Sequence, residues 1–465
     1  MPESEFTSDI ESQEANIEYR WYSRLGEWYL TVCFAYLLIE AVFHDPMNEM
    51  LGERAHWLFR LTPYNLWPSV LYFYGAGFAI GLYIIMTGRK SWHVPIKGSM
   101  VYLTIWFVYL GWGLYGGFLR NPWWHRDIRS TILPSIVVPW VVVLAQNVRY
   151  EVVLSRICKL CVPFALWNIV MGVLRFATFN PNVPVIIWRG EYMLIFAYII
   201  ALAKNMTGAK IAPVSLVILG MGIVAPLHKP VVVTFVVANF IILFLRFRIN
   251  LPGYSWRTVR TFLVILLLIL TLSVFLSYIF NLGGGEAEKW IRHRYLKGTS
   301  VGGRDIAGLS GRRIEMWQQC LEWWKQRPVI GKGLGMKLHS PLGPWPLDIH
   351  NLPLQTLAQT GLVGFCLVLI AALSWIKRGI STLRYEATVN RAWVRLALLT
   401  FSFTILTTTL YGETLSIRSL AFAFWIVAGM ETAAHSQLIH WSLQDQLEYE
   451  PTTIMTDTFF GQEAF

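Results

Sequence analysis

The sequence predicts an all-α polytopic membrane protein of about twelve transmembrane helices, with one large outer loop between helices 9 and 10. Three observations lead there. Hydrophobic residues make up 55% of the 465-residue chain and charged residues only 14%, which is far too apolar for an ordinary soluble domain. Apolar runs of about twenty residues recur along it, each long enough to cross a hydrocarbon core of roughly 30 Å as a helix, and none shows the short alternating segments of a barrel. Basic residues gather in every second connection, as the positive-inside rule requires.

In chain order, the spans are expected near 27–46, 66–87, 98–119, 128–148, 152–174, 186–203, 210–227, 230–248, 258–280, 352–376, 393–411 and 413–433. The chain then divides into a cytoplasmic N-terminal tail (1–26), helices 1–9 (27–280), an outer loop (281–350), helices 10–12 (351–433) and a cytoplasmic C-terminal tail (434–465). The polar, acidic start "MPESEFTSDIESQEANIEY" lacks the basic flank and short apolar core of a cleaved signal, so the first span is expected to be its own insertion signal. The cytoplasmic connections carry Arg89, Lys90 and Lys97; Lys204 and Lys210; Arg246, Arg248, Arg257 and Arg260; and Lys377, Arg378, Arg384 and Arg391. Of five cysteines, four lie in apolar runs, and the CxxC of Cys158 and Cys161 has no second Cys/His pair to complete a metal site.

The outer loop is strongly basic, from Lys289 through Arg312 and Arg313 to Lys337, although orientation does not need those cations. With a net charge of +11, they suit either a solvated loop or a site for a phosphate-bearing ligand at the membrane surface. Shorter outer turns add Arg175, Arg189 and Lys229. Within "GRRIEMWQQCLEWWKQRPVIGKG", helical spacing puts Ile314, Trp317, Leu321 and Trp324 on one stripe, suited to the membrane interface, before Pro328 and Gly331 end the helix. Gly331, Gly333 and Gly335 follow no strand and precede no phosphate-binding helix, so they read as turn glycines.

His350 and Asn351 stand at the mouth of span 10. On an ideal helix starting there, Gly361 comes about 20° around from His350 and Gly364 about 40° to the other side, so one face carries all three. Small residues on that face are expected to admit a neighbouring helix, and Pro353 is harmless in the first turn.

His350-Asn351, nine residues, Gly361, two residues and Gly364 resemble the outer-loop signature of the O-antigen ligase and polymerase family: His, then Asn, Ser or Gln, nine residues, Gly, two residues, then Gly, Thr or Tyr. "SGRRIEMW" resembles the family's Gly-Arg followed by an aromatic, which puts Arg313 at the arginine, with Arg312 as the other register. In the turn between spans 7 and 8, where relatives carry arginine, this chain has His228 and Lys229. Lysine keeps the charge but loses the bidentate fork.

The resemblance implies transfer of a glycan from an undecaprenyl-diphosphate carrier to a hydroxyl acceptor at the periplasmic face of a bacterial inner membrane, with both termini cytoplasmic. A sugar hydroxyl needs a base as the new bond forms, and His350 is the candidate: a helix N-terminus disfavours imidazolium and keeps the ring ready for a proton. Arg313, Arg189 and Lys229, with Arg312, are expected to stabilise the departing diphosphate. Asn351, Gly361, Gly364 and Asp348 are the supporting positions, Asp348 to orient the imidazole or bind a sugar. Glu191 and Glu413 are weaker polar candidates at outer helix ends. No metal or other cofactor is expected, and single-step displacement would invert the anomeric centre. The acceptor stays open between lipid A core (a ligase, the preferred reading), a second lipid-linked repeat (a polymerase) and a protein hydroxyl (an oligosaccharyltransferase). A secondary anion transporter is the reading from another class, but its ionisable residues belong near midplane on broken helices.

Overall fold

The computed structural model describes residues 23–38, 75, 77–80, 82, 101–120, 133–145, 148–177, 189–226, 229–249, 313–334, 338–339, 346–347, 351–383, 389–410 and 420–435. The described part is helical apart from one short ladder. The helices are α1 (residues 23–38), α2 (Val101–Arg120), α3 (Leu133–Ala145), α4 (Tyr150–Ala177), α5 (Arg189–Thr207), α6 (Pro213–Val224), α7 (Lys229–Arg246), α8 (Arg313–Gln326), α9 (Leu352–Leu383), α10 (Val389–Thr408) and α11 (Leu420–His435). Between α8 and α9, β1 (Leu338–His339) pairs antiparallel with β2 (Pro346–Leu347). Parts of α2, α4 and α9 are long and apolar enough to cross a membrane: Val101–Leu119, Tyr150–Leu174 and Leu352–Ser381. The expected spans at 66–87 (but for a short helical piece at 77–80) and 258–280, and both tails beyond 23 and 435, lie outside the described residues.

Side-chain contacts give the helices relative directions. Phe196 meets Phe401 (4.4 Å between ring centroids) and Lys204 lies over Trp393 (4.6 Å), eight residues along each helix in opposite senses, so α5 and α10 are antiparallel. Lys204 Nζ donates to Ser155 Oγ (2.6 Å), while the Cys161 thiol reaches Met193 O (3.8 Å), so α4 and α5 are antiparallel too. Tyr102 and Thr432 share a hydrogen bond (2.6 Å) and Trp106 packs on Trp425 (4.8 Å), which sets α2 against α11. Short connections between α5, α6 and α7 make each antiparallel to the next. That leaves α5 and α7 parallel, joined where Tyr198 donates to Asn239 Oδ1 (2.9 Å). The centre is α5, with Tyr192 to Ala203 nearly all buried: its sequence is apolar all round because neighbours surround it.

One end of the bundle, here the lower end, holds its charges in pairs. Glu431, fully buried, accepts from Arg378 (2.7 Å), Arg395 (2.9 Å) and Trp375 Nε1 (3.1 Å), tying α9, α10 and α11 together. Glu27 on α1 accepts from Arg149 Nε (2.7 Å), just before α4. In a low-dielectric interior such groups persist only when paired, so the buried Arg378 and Arg395 are committed to structure.

The chief departure from the expected helix pattern is in α9. The helix runs to Leu383 rather than 376, and it is broken at Gly361, where φ 67° and ψ −167° fall in a region almost reserved for glycine. Leu352 lines the same apolar cavity, about 60 Å³, as Val368, Ala371 and Trp375. In an unbroken helix Leu352 and Trp375 would stand about 34 Å apart. The break therefore folds residues 352–360 back over the lower half of α9. This corrects the expectation that Gly361 and Gly364 share a face that admits a neighbouring helix: Gly361 is the hinge, and a Cβ on Gly364 would meet the Thr360 side chain of its own preceding turn (2.0 Å).

Candidate active site

The site is built around the start of α9. Asn351 caps the helix, its Oδ1 accepting from Leu354 N–H (3.0 Å). The same side chain donates through Nδ2 to Leu410 O (3.0 Å), and Leu352 N–H donates to Thr409 O (2.9 Å). The motif asparagine therefore closes one helix end while fastening it to the opposite end of another, where carbonyls lack helical partners. Replacing Asn351 with alanine is expected to cost about 1 kcal/mol, read as a lower melting temperature in detergent. Aspartate there should recover the cap but not the bond to Leu410.

The α10 register places this end relative to α5. Arg189 precedes Phe196 by seven residues and Thr408 follows Phe401 by seven, so on antiparallel helices the start of α5 lies level with the residues that hold Asn351. Because α7 runs parallel to α5 and meets it at Tyr198–Asn239, Lys229 begins α7 at nearly the same level. Arg189, Lys229 and Arg313 are each the first residue of a helix and are described through their backbones. Their helix starts add N–H groups that lack acceptors within the helix to the formal charge, the geometry that favours an anion. His350, Asp348 and Arg312 lie outside the described residues. Glu191 is buried in the first turn of α5, and Glu413 is outside the described residues.

Arg313 heads α8, which packs on the folded-back half of α9. The buried face is Met316, Trp317, Cys320 and Trp323 against Leu354 and Ala358. This face lies about one residue round from the stripe read for the membrane interface, sharing Trp317 with it and turned toward the small Ala358, while Leu321 is exposed. Burial pushes the Cys320 thiol up to about 12, so it serves as packing rather than as a nucleophile. None of the five cysteines is in a disulfide, and Cys158 and Cys161 are buried in the core.

After α8 the chain enters the break in α9. Residues 358–360 lose their helical acceptor bonds there, and Leu362 and Val363 lose their donor bonds. The segment 328–333 supplies replacements: Leu362 N–H donates to Pro328 O (2.8 Å) and Val363 N–H to Val329 O (3.3 Å), while Lys332 N–H donates to Ala358 O (3.0 Å) and Gly333 N–H to Gln359 O (2.6 Å). Trp112 Nε1 on α2 takes Thr360 O (3.1 Å). Irregular backbone within a membrane bundle survives only when protein satisfies it in this way. Gly331 (φ 64°) and Gly333 (φ 97°) are turn glycines as expected, but they also permit contact: a Cβ on Gly331 would stand 2.4 Å from Gln359 O, and one on Gly333 2.5 Å from Gly116 O. Leu334 then lies against Gly113 and Gly117 of α2. The sequence reading missed this groove, although Gly113, Gly116 and Gly117 in "GWGLYGG" carry the small-residue spacing that signals close approach in membrane helices.

These helices support a membrane protein, an apolar bundle with the starts of α5, α7 and α9 at one end and paired charges at the other. Residues 214–369 match the family model described as O-antigen ligase, and the match supports the O-antigen ligase family that the sequence resemblance indicated. The family is one of membrane transferases of lipopolysaccharide and polysaccharide synthesis, which supports a ligase- or polymerase-like enzyme acting on a lipid-linked glycan. The matched stretch runs from α6 into the lower half of α9 and includes Lys229, Arg312, Arg313, Asp348, His350, Asn351, Gly361 and Gly364; Arg189 precedes it. No curated protein matches the chain.

Proposed function

We propose that the protein is a ligase-type glycosyltransferase that moves a glycan from an undecaprenyl-diphosphate carrier to a hydroxyl of a lipid A core acceptor at the periplasmic face of a bacterial inner membrane. The observation that carries this reading is the gathering, at the upper end, of the helix starts of Arg189 and Lys229 with the Asn351 cap, while α8, headed by Arg313, packs on the same half-helix. In the reaction, His350 takes the acceptor proton as oxygen attacks the anomeric carbon. The bond to the diphosphate breaks, and Arg313, Arg189 and Lys229 hold the charge that leaves. Attack from the face opposite the leaving group inverts the anomeric centre. Asp348, two residues before His350, orients the imidazole, and neither this base nor these cations call for a metal.

The apolar cavity beneath Leu352 supports a lipid-borne donor, because it lies under the folded half-helix that begins next to His350 and is lined by Trp106, Trp375 and Trp425. It suits part of one apolar chain. Ala371→Leu, which fills it, is expected to raise the KM for a long-tailed donor several-fold and leave that for a short-tailed analogue unchanged. Equal effects on both donors would remove the cavity from donor binding.

The experiment for the function as a whole is to incubate purified protein with lipid-diphosphate glycan and candidate acceptors, with and without chelator. Transfer to lipid A core, insensitive to chelation and with inverted configuration, is the expected result. Transfer to a second lipid-linked repeat would make the protein a polymerase, and transfer to a protein hydroxyl an oligosaccharyltransferase. No transfer to any acceptor would refute the enzyme.

A further inference from the structure

We infer that segment 328–334, seated in the break of α9, is a clip that fixes the direction of α8 relative to the start of α9, and that Trp112 is a positioning residue for the transfer; the catalytic part of this inference rests on the function proposed above. A helix held at one point can pivot, but one held at two cannot. Along its length α8 is held by Cys320 and Trp323 against Ala358 and Leu354. Its exit is held separately: Trp324 Nε1 donates to Pro328 O (3.0 Å), Gly331 N–H donates to Arg327 O (2.9 Å), and four backbone bonds then join 328–333 to 358–363. Trp112 closes the last open carbonyl, Thr360 O, from the far side (3.1 Å), and Leu334 N–H bonds to Gly113 O (3.4 Å), so α2 forms the back wall. Arg313 at one end of α8 and Asn351 at the start of α9 thus take their separation from contacts made around Gly361, ten residues along the chain from Asn351.

Two variants test this. In a Cys366→Ser background, Val329→Cys with Val363→Cys places exposed thiols on two residues whose backbones are hydrogen-bonded. A short bis-maleimide should join them in the membrane-embedded protein, and the joined protein should keep its transfer rate, since the clip stays shut through turnover. Trp112→Phe keeps an aromatic ring, though a smaller one, and removes the donor. It should lower kcat roughly 10- to 100-fold with donor KM changed less than about twofold, while the orphaned Thr360 carbonyl lowers the melting temperature by only a few degrees and the protein stays folded at the assay temperature, the signature of misplaced groups in an intact fold. Wild-type turnover by Trp112→Phe, a loss carried by KM or by melting alone, or inactivation on cross-linking overturns the inference. A parent pair that transfers glycan but does not cross-link refutes the clip alone. One that cross-links but transfers nothing refutes the proposed function and the catalytic meaning of the clip with it.

Discussion

His350→Ala removes transfer, with a rate loss on the order of 10²–10⁴ as expected for a positioned general base, and leaves the protein folded. The fold should survive because the contacts that secure this helix start belong to its neighbours: Asn351 caps α9, and Leu352 and Asn351 bind the end of α10. Glutamine at 350 keeps the polarity and much of the size but accepts no proton at neutral pH, so it should be as inactive as alanine. Donor binding should persist in both variants, because the diphosphate is assigned to Arg313, Arg189 and Lys229. Turnover of His350→Gln at the parent rate, measured by acceptor glycosylation, would take the imidazole out of the mechanism.

Gly361→Ala is expected to be the most damaging single substitution in the helical frame, costing about 3 kcal/mol or more. Two penalties add. The backbone angles, φ 67° and ψ −167°, belong to a region that side-chain-bearing residues hardly occupy. The new methyl would also stand 2.2 Å from Val329 O and 2.6 Å from Gly331 N, both backbone atoms that cannot rotate away. The segment 328–334 must then leave the break, exposing the polar groups of residues 358–363 within the bundle. A fall in melting temperature and new protease cleavage near Val329 are the readouts. Gly111→Ala is the matched control, since nothing lies within 4 Å of its Cβ position, and it should behave as the parent does.

Much of the helical frame is legible in the sequence because a membrane helix must satisfy its own backbone and so needs one long apolar run. The run expected at 186–203 became Arg189–Thr207, and that at 230–248 became Lys229–Arg246. The cap at Asn351 is legible too, as a short polar side chain just before an apolar stretch. The break is not. Spacing arguments assume a continuous helix, and the residues that satisfy the backbone at Gly361 come from a segment about thirty positions earlier and from Trp112 on α2. The packing face of α8 is hidden for a related reason: which side of a helix is buried depends on where the facing helix offers room, and Ala358 offers it one residue away from the stripe read for the interface. The lower-end ion pairs were equally hidden, since Arg378 reads as a topogenic charge and only packing shows it closed, together with Arg395, around Glu431.

In the proposed reaction a phosphorylated lipid docks at the end of the bundle where α5, α7, α8 and α9 begin. This docking is tested most directly with a polyprenyl-diphosphate analogue bearing a photoreactive group beside the diphosphate, followed by mapping of the labelled peptides. Labelling, suppressed by unlabelled donor, is expected in peptides that contain Arg189, Lys229 and the stretch from Arg312 to Asn351. Competed labelling around Lys204, Arg378 and Arg395 at the opposite end would contradict it.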